Sequence, residues 1–282
     1  MPANVADVTR QVAITLGASF LAVALAPCLG VLGRVVLGSG VPGPSERTSP
    51  GPFAEATLLT PATPACAIWA LIYLGLAGHL VWQWLPQHTS SRRARSIGWL
   101  AAVAMVLNGL WLLVVRADWL WLSIVVIVAL ALDLGLLVQV LTRQPASSTV
   151  EAVLVDGTFG VYLGWVSVVT VANITATLTA SGLRPGGLVS EVAAVLVLAV
   201  TAGFGVIVAA RLGGRWAVAA ALVWGLGWIA VGRFTGELSS DITGIAGVTA
   251  AVAVLAATAV VRASQRPAVA KVESRTSVTG SP

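Results

Sequence analysis

Charged residues are scarce in this chain: only 10% of its 282 residues are Asp, Glu, Lys or Arg, while 57% are hydrophobic and the mean hydropathy is +0.93. A soluble domain carries about 45–50% apolar and roughly 25% charged residues. The shortfall excludes an ordinary soluble enzyme and any disordered or fibrous class. Cysteine is nearly absent too. Cys28 and Cys66 cannot form a disulfide framework, and neither has a His or Cys at metal-ligand spacing. Both sit in apolar surroundings, where a buried, inert thiol is expected. There is no phosphate-cradling glycine loop and no nucleophile triad, and His79 and His88 are isolated. No catalytic residue and no metal site are therefore expected. The formal charge of +5 and the pI near 10.2 do not signal nucleic acid, because the basic residues lie mostly at the ends of apolar runs. What the chain has in excess is tryptophan: 11, against 5 Phe and 2 Tyr.

About 20 apolar residues cross a bilayer core of roughly 30 Å. Applied along the chain, that ruler marks eight spans, at approximately 12–34, 65–86, 97–115, 119–141, 157–180, 188–210, 215–232 and 242–261. The first run follows Arg10 and is longer than a signal-peptide core. It continues past Cys28 and is read as a retained helix. Only Arg116-Ala-Asp118 separates the third and fourth spans, so these form a tight antiparallel hairpin. The one long connection, roughly 35–64, is broken by Gly38-Ser-Gly-Val-Pro-Gly-Pro-Ser45 and Thr48-Ser-Pro-Gly-Pro52. The polar stretch 263–282 is expected to be a disordered cytoplasmic tail. With the N-terminus inside, eleven Lys and Arg fall on the cytoplasmic side and five outside. That asymmetry favours cytoplasmic N- and C-termini in a multi-pass protein of the inner (plasma) membrane, with lipid as its surroundings.

Polar groups within the spans mark function or buried contacts between helices. Asp133 lies in mid-span with no charge near it in sequence, so a proton-coupled role and an interhelical hydrogen bond are both open. Asn108 and Trp111 share a face of the third span. Tyr162, Trp165, Val169 and Asn173 form a stripe on the fifth, and Trp69 and Tyr73 are an i, i+4 pair on the second. Such aromatic faces suit a flat, largely apolar ligand gripped by a few polar groups. Trp82, Trp84, Trp99, Trp119 and Trp121, at span ends, read as interfacial anchors, whereas Trp111 fits either role. Gly160-Val-Tyr-Leu-Gly164 has the spacing that lets another helix approach closely. Trp216, Trp224 and Trp228 share one broad face, which either extends the pocket or covers the bundle in place of a dimer contact.

Several of these segments resemble the TspO/MBR family, the tryptophan-rich sensory proteins related to the mitochondrial translocator protein. Pro61-Ala-Thr-Pro64 with Ile68-Trp-Ala-Leu-Ile-Tyr73-Leu-Gly75 is similar to the family's proline-bearing loop and second helix. Leu107-Asn-Gly-Leu-Trp111, the segment around Asp133, and Tyr162-Leu-Gly-Trp165-Val-Ser167 with Asn173 resemble motifs of its third, fourth and fifth helices. The likeness covers about residues 10–181.

The resemblance implies an all-α, polytopic bundle with a five-helix core over 10–181 and a ligand pocket beneath the first loop; the three-helix extension over 186–262, read from hydropathy, lies outside it. The resemblance also implies a homodimer and a tetrapyrrole ligand, porphyrin or heme-like, with no resident cofactor. By matching position, the ligand-binding residues would be Trp69, Tyr73, Asn108, Trp111, Asp133, Tyr162, Trp165 and Asn173. The expected role is that of a sensor or carrier. The alternatives are proton-coupled transport through Asp133, light-dependent porphyrin breakdown, and a scaffold that binds partners through the last three helices. Two departures stand out: no Trp precedes Cys66, and Val161 and Val168 stand where the family often has Pro and Phe.

Overall fold

A computed structural model describes residues 57–84 and 92–278, the side chains of Trp84, Arg92 and 266–278 excepted. Among the described residues, seven helices are long and apolar enough to cross a membrane. They coincide with seven of the eight spans expected from hydropathy; the remaining one, 12–34, lies outside the described residues, as do Cys28 and His88. A 3-10 turn, Thr63–Ala67, opens with Pro64 in its first positions and leads into α1, Ile68–Trp84. Proline is tolerated there because the first N–H groups of a helix have no partner to lose. α2 (Arg92–Arg116) and α3 (Leu120–Arg143) form the expected hairpin. Asp118 closes it in the left-handed region (φ 56°), while the Asp118 and Trp119 amides return to the Val115 and Val114 carbonyls at 3.1 Å. Two bonds folding back in this way terminate the helix within three residues.

α4 is a composite. A first turn (Thr149–Glu151) capped by Ser148 passes into a π-helical turn (Ala152–Gly157) and then into Thr158–Ala180. α5 (Gly187–Arg211), α6 (Trp216–Thr235) and α7 (Asp241–Val278) complete the described chain. Of α7, Asp241–Gln265 is the apolar span. Helical backbone then continues through Pro267 to Val278, along a stretch in which Ala, Lys, Glu and Arg are good helix formers.

The helices pack in the order α2–α3–α4–α6–α7–α5, with α1 laid against α4 and its π turn. α4 is the hub. Its contact with α6 is a seam of small residues: a Cβ added to Gly160 would lie 2.7 Å from that of Ala217, and one added to Gly164 would run into the Val218 carbonyl. Higher up, Gly225 of α6 receives Val168 of α4. The seam therefore advances by four residues at a time along both helices, which run parallel. Without side chains in the way, the backbones come close enough for dispersion to hold the pair where lipid offers no hydrophobic drive. The spacing at Gly160 and Gly164 thus serves contact with the chain's own sixth described helix.

Two expectations are corrected. Cys66 is exposed on the 3-10 turn rather than buried. Trp82, read as an anchor at a span end, is buried and stacks on His79 with centroids 6.2 Å apart, because α1 turns that face toward Phe159 of α4. Trp99, Trp119 and Trp121 are exposed, as interfacial rings would be.

Candidate functional site

The start of α1 places Trp69 at the centre of an aromatic cluster drawn from three helices. Its ring stacks on Tyr73 one turn below, with centroids 5.5 Å apart and planes at 18°, and on Trp111 of α2 at 6.3 Å and 27°. It meets Tyr162 and Trp165 of α4 edge-on, both at 6.2 Å. Tyr73, Trp111, Tyr162 and Trp165 are buried, and only Trp69 is partly open. Offset stacks and edge-to-face pairs in this distance range contribute about 0.5–1.5 kcal/mol each beyond their burial. The cluster sits just below the described end of the first connection. There Thr57 approaches Thr175 of α4 at 3.4 Å, the Ala62 amide donates to the Trp228 carbonyl, and the Trp224 indole donates to the Ala65 carbonyl.

Around the rings stand buried polar atoms with unused capacity. Asn108 donates through Nδ2 to the Tyr162 hydroxyl at 2.5 Å, which leaves its Oδ1 with no acceptor role filled. The indole N–H groups of Trp111 and Trp165 also lack partners among the described residues, as does Asp133 Oδ2. Unpaired polar atoms in an apolar interior are costly and mark places where a further group belongs. Asp133 reaches this level by helix register. Ser123 of α3 faces Asn173 of α4, so moving eleven residues along each antiparallel helix sets position 134 opposite Tyr162. Asp133 and Tyr73 are both electrostatic neighbours of the Tyr162 hydroxyl.

Seven of the eight candidate residues thus share one region: Trp69, Tyr73, Asn108, Trp111, Asp133, Tyr162 and Trp165. Asn173 stands apart, about 16 Å further along α4 from Tyr162 at 1.5 Å per residue. Its Nδ2 donates to the Ser123 hydroxyl at 3.0 Å, and that hydroxyl donates in turn to the Leu120 carbonyl at 2.6 Å, which makes the amide an interhelical contact. Among the described residues, no group of three or more His, Cys, Asp or Glu is placed to hold a metal ion.

Sequence reading passed over a second polar centre, at the opposite end of the bundle. Arg93 of α2 donates to Glu151 at 2.7 Å and to Asp156 at 2.6 Å, and its Nε donates to the Gln144 carbonyl. Arg215, preceding α6, grips the other Asp156 oxygen at 2.7 Å and the Thr142 hydroxyl at 2.8 Å. In a regular α-helix, residues five apart point about 140° away from one another. The π turn, with its i to i+5 bonding, brings Glu151 and Asp156 back to one side, so a single guanidinium takes both. Hydropathy began these two helices at 97 and 157 because charges were counted as loop; paired and buried, they belong to the helices.

Trp216, Trp224 and Trp228 do not join the aromatic cluster. With Leu255 of α7 they line an open apolar groove of about 500 Å³ on α6.

The family model described as TSPO-like protein matches residues 43–260, which takes in α5, α6 and nearly all of the α7 span as well as the motif-bearing helices. Neither a curated protein nor a solved structure matches the chain. With more than half of its length matched, from the proline-bearing loop to the last span, the chain belongs to the family of TSPO-like proteins, as a multi-pass helical membrane protein.

Proposed function

We propose that this protein binds a flat hydrophobic ligand, a tetrapyrrole by the family resemblance, at the cluster centred on Trp69, and acts as a sensor or carrier. The observation that carries the reading is the meeting of five aromatic rings with the unpartnered Asn108 Oδ1 and the indole N–H groups of Trp111 and Trp165. A planar ligand slipping beside Trp69 would exchange ring-on-ring stacking for stacking on itself. Its burial would contribute about 25 cal/mol per Å² of apolar area, with the amide and the indoles setting its orientation. The asymmetry of Lys and Arg supports cytoplasmic termini in the plasma membrane. The filling of the Gly160–Gly164 face by α6 supports the reading in which the last three helices cover the bundle in place of a dimer contact.

The test is tryptophan quenching of the detergent-solubilised protein by protoporphyrin IX, in the dark and then under illumination. Asn108→Ala and Trp165→Phe should each weaken binding about tenfold, the scale of one lost buried polar or aromatic contact. Unchanged affinity in both would remove the site. Loss of porphyrin absorbance that requires both light and protein would replace binding by turnover. Asn173→Ala should leave the affinity unchanged and lower stability by about 0.6 kcal/mol, the mean for hydrogen bonds between spanning helices. A fall in affinity with stability intact would return Asn173 to the ligand.

A further inference from the structure

Three indoles stand along one face of α6, and among the described residues nothing covers them. Trp216 and Trp224 are 46% and 40% exposed, and with Trp228, Gly227 and Leu255 of α7 they line the open groove of about 500 Å³. A lipid-facing tryptophan belongs at the membrane interface, where its N–H can be wet. Trp216, at the start of α6, satisfies that rule. Trp224 and Trp228 lie about 12 and 18 Å further along the helix, deep in a core roughly 30 Å thick. Rings at that depth make a packing surface for protein. Beside them Gly227 leaves a notch: a Cβ added there would meet nothing within 4 Å, whereas Gly225 receives Val168 of α4.

The chain has one expected span left to place. Residues 12–34, outside the described residues, would form a helix of about 34 Å against about 30 Å for α6. Small residues recur there at every fourth position: Ala18, Ala22, Ala26 and Gly30. Such a stripe lets a spanning helix approach its partner closely, and indoles flanking a notch are the complementary relief. Direction agrees as well. Successive spans alternate, so a span preceding α1 runs antiparallel to α1 and parallel to α6. The connection also arrives at the right place. The Ala62 amide donates to the Trp228 carbonyl at 3.1 Å, and the Trp224 indole donates to the Ala65 carbonyl at 3.0 Å, so the chain entering α1 leans on this same helix. A small ligand would find little to orient it, because the Trp224 N–H is already engaged and no charged or hydroxyl-bearing residue lines the groove.

We infer that the groove on α6 receives the first span, residues 12–34, packed parallel to α6 with its small-residue stripe over Gly227 and the indoles. The inference rests on the hydropathy reading of 12–34 as a span, and is independent of the ligand reading of the Trp69 cluster.

Disulfide mapping of the full chain in isolated membranes tests it, with Cys28→Ser and Cys66→Ser as background. Gly227→Cys is paired in turn with Ala18→Cys, Ala22→Cys, Ala26→Cys and Gly30→Cys. After mild oxidation, mass spectrometry of mixed light and isotope-labelled chains separates links within a chain from links between chains. Aligning the midpoints of the two parallel helices sets Ala22 and Ala26 level with Gly227. These two should link within the chain about tenfold more than Phe20→Cys or Ala24→Cys, which the helical period turns to the opposite side, since a disulfide needs β-carbons within about 4.5 Å. Ala62→Cys with Gly232→Cys is the positive control, as a Cβ added at Gly232 would lie 3.5 Å from that of Ala62. Ala220→Cys, two turns earlier on the same face, repeats the scan should Gly227→Cys impair folding, and moves the expected maximum to Ala18. Equal linking on both sides of the span overturns the inference. So does absence of links while the control pair forms, which leaves the groove to lipid. Links between chains overturn it too, by placing a second copy in the groove.

Discussion

Arg93→Ala is expected to destabilise the protein by about 3–5 kcal/mol, the cost of leaving buried charge uncompensated after one partner is removed. The guanidinium holds three elements at once: the Glu151 carboxylate, one Asp156 oxygen, and the Gln144 carbonyl beyond the end of α3. Arg93 and Glu151 are almost wholly enclosed, with side chains 8% and 4% exposed, so solvent does little to screen the pair. After truncation, Glu151 retains only the amide and hydroxyl of Ser147, and Asp156 retains Arg215 through its other oxygen. Arg93→Lys should recover part of the loss, since an ammonium supplies the charge without the fork that spans two carboxylates. Chemical unfolding in mixed micelles, followed by helical circular dichroism, measures the difference. A loss below about 1 kcal/mol would place the cluster with exposed ion pairs, which contribute little.

Gly164→Val should be the most damaging change in the interior of α4. A β-carbon there would run into the Val218 carbonyl and lie 2.8 Å from the Ala221 Cβ, and neither backbone nor β-carbon can move aside without moving α6. Overpacking of a tight interior costs about 1–3 kcal/mol where side chains can yield. Here the helix itself must shift, so the expected loss is at or above the top of that range. Because Trp224 of α6 donates to the Ala65 carbonyl above the aromatic cluster, displacement of α6 should also weaken porphyrin quenching. Gly135→Ala on α3 is the matched control. Nothing lies within 4 Å of its added carbon, and relief of glycine's backbone freedom should stabilise by about 0.4–1 kcal/mol. Equal effects of the two substitutions would mean that the α4–α6 seam is not closely packed.

Both predictions concern features that a one-dimensional reading handles poorly. Hydropathy located the seven described spans because lipid demands a run of about 20 apolar residues whatever the tertiary arrangement. The same averaging trimmed α2 and α4 at their charged ends. It treats every charge as a cost, whereas Arg93, Glu151, Asp156 and Arg215 offset one another. Nor does α-helical periodicity show Glu151 and Asp156 sharing a side, since that depends on a π turn without a sequence signature. The aromatic residues were more legible. Trp69 with Tyr73, Asn108 with Trp111, and Tyr162 with Trp165 each follow helical spacing, so each face could be read before knowing that the three faces meet. Asn173 extended the same stripe, yet helix register sets it opposite Ser123 and away from the rings.

The class of the molecule, the number and rough position of its described spans, the α2–α3 hairpin, and the helix faces that carry aromatic and amide groups were all legible in the chain. Those follow from composition and period, which are local properties of the chain. Packing in three dimensions was needed to show that Gly160 and Gly164 receive α6 and that four charges clasp α2, α3, α4 and the start of α6 together. Each of these depends on which helix neighbours which, and in lipid that choice rests on backbone approach and on the pairing of polar groups rather than on hydrophobicity, which is alike on every outward face.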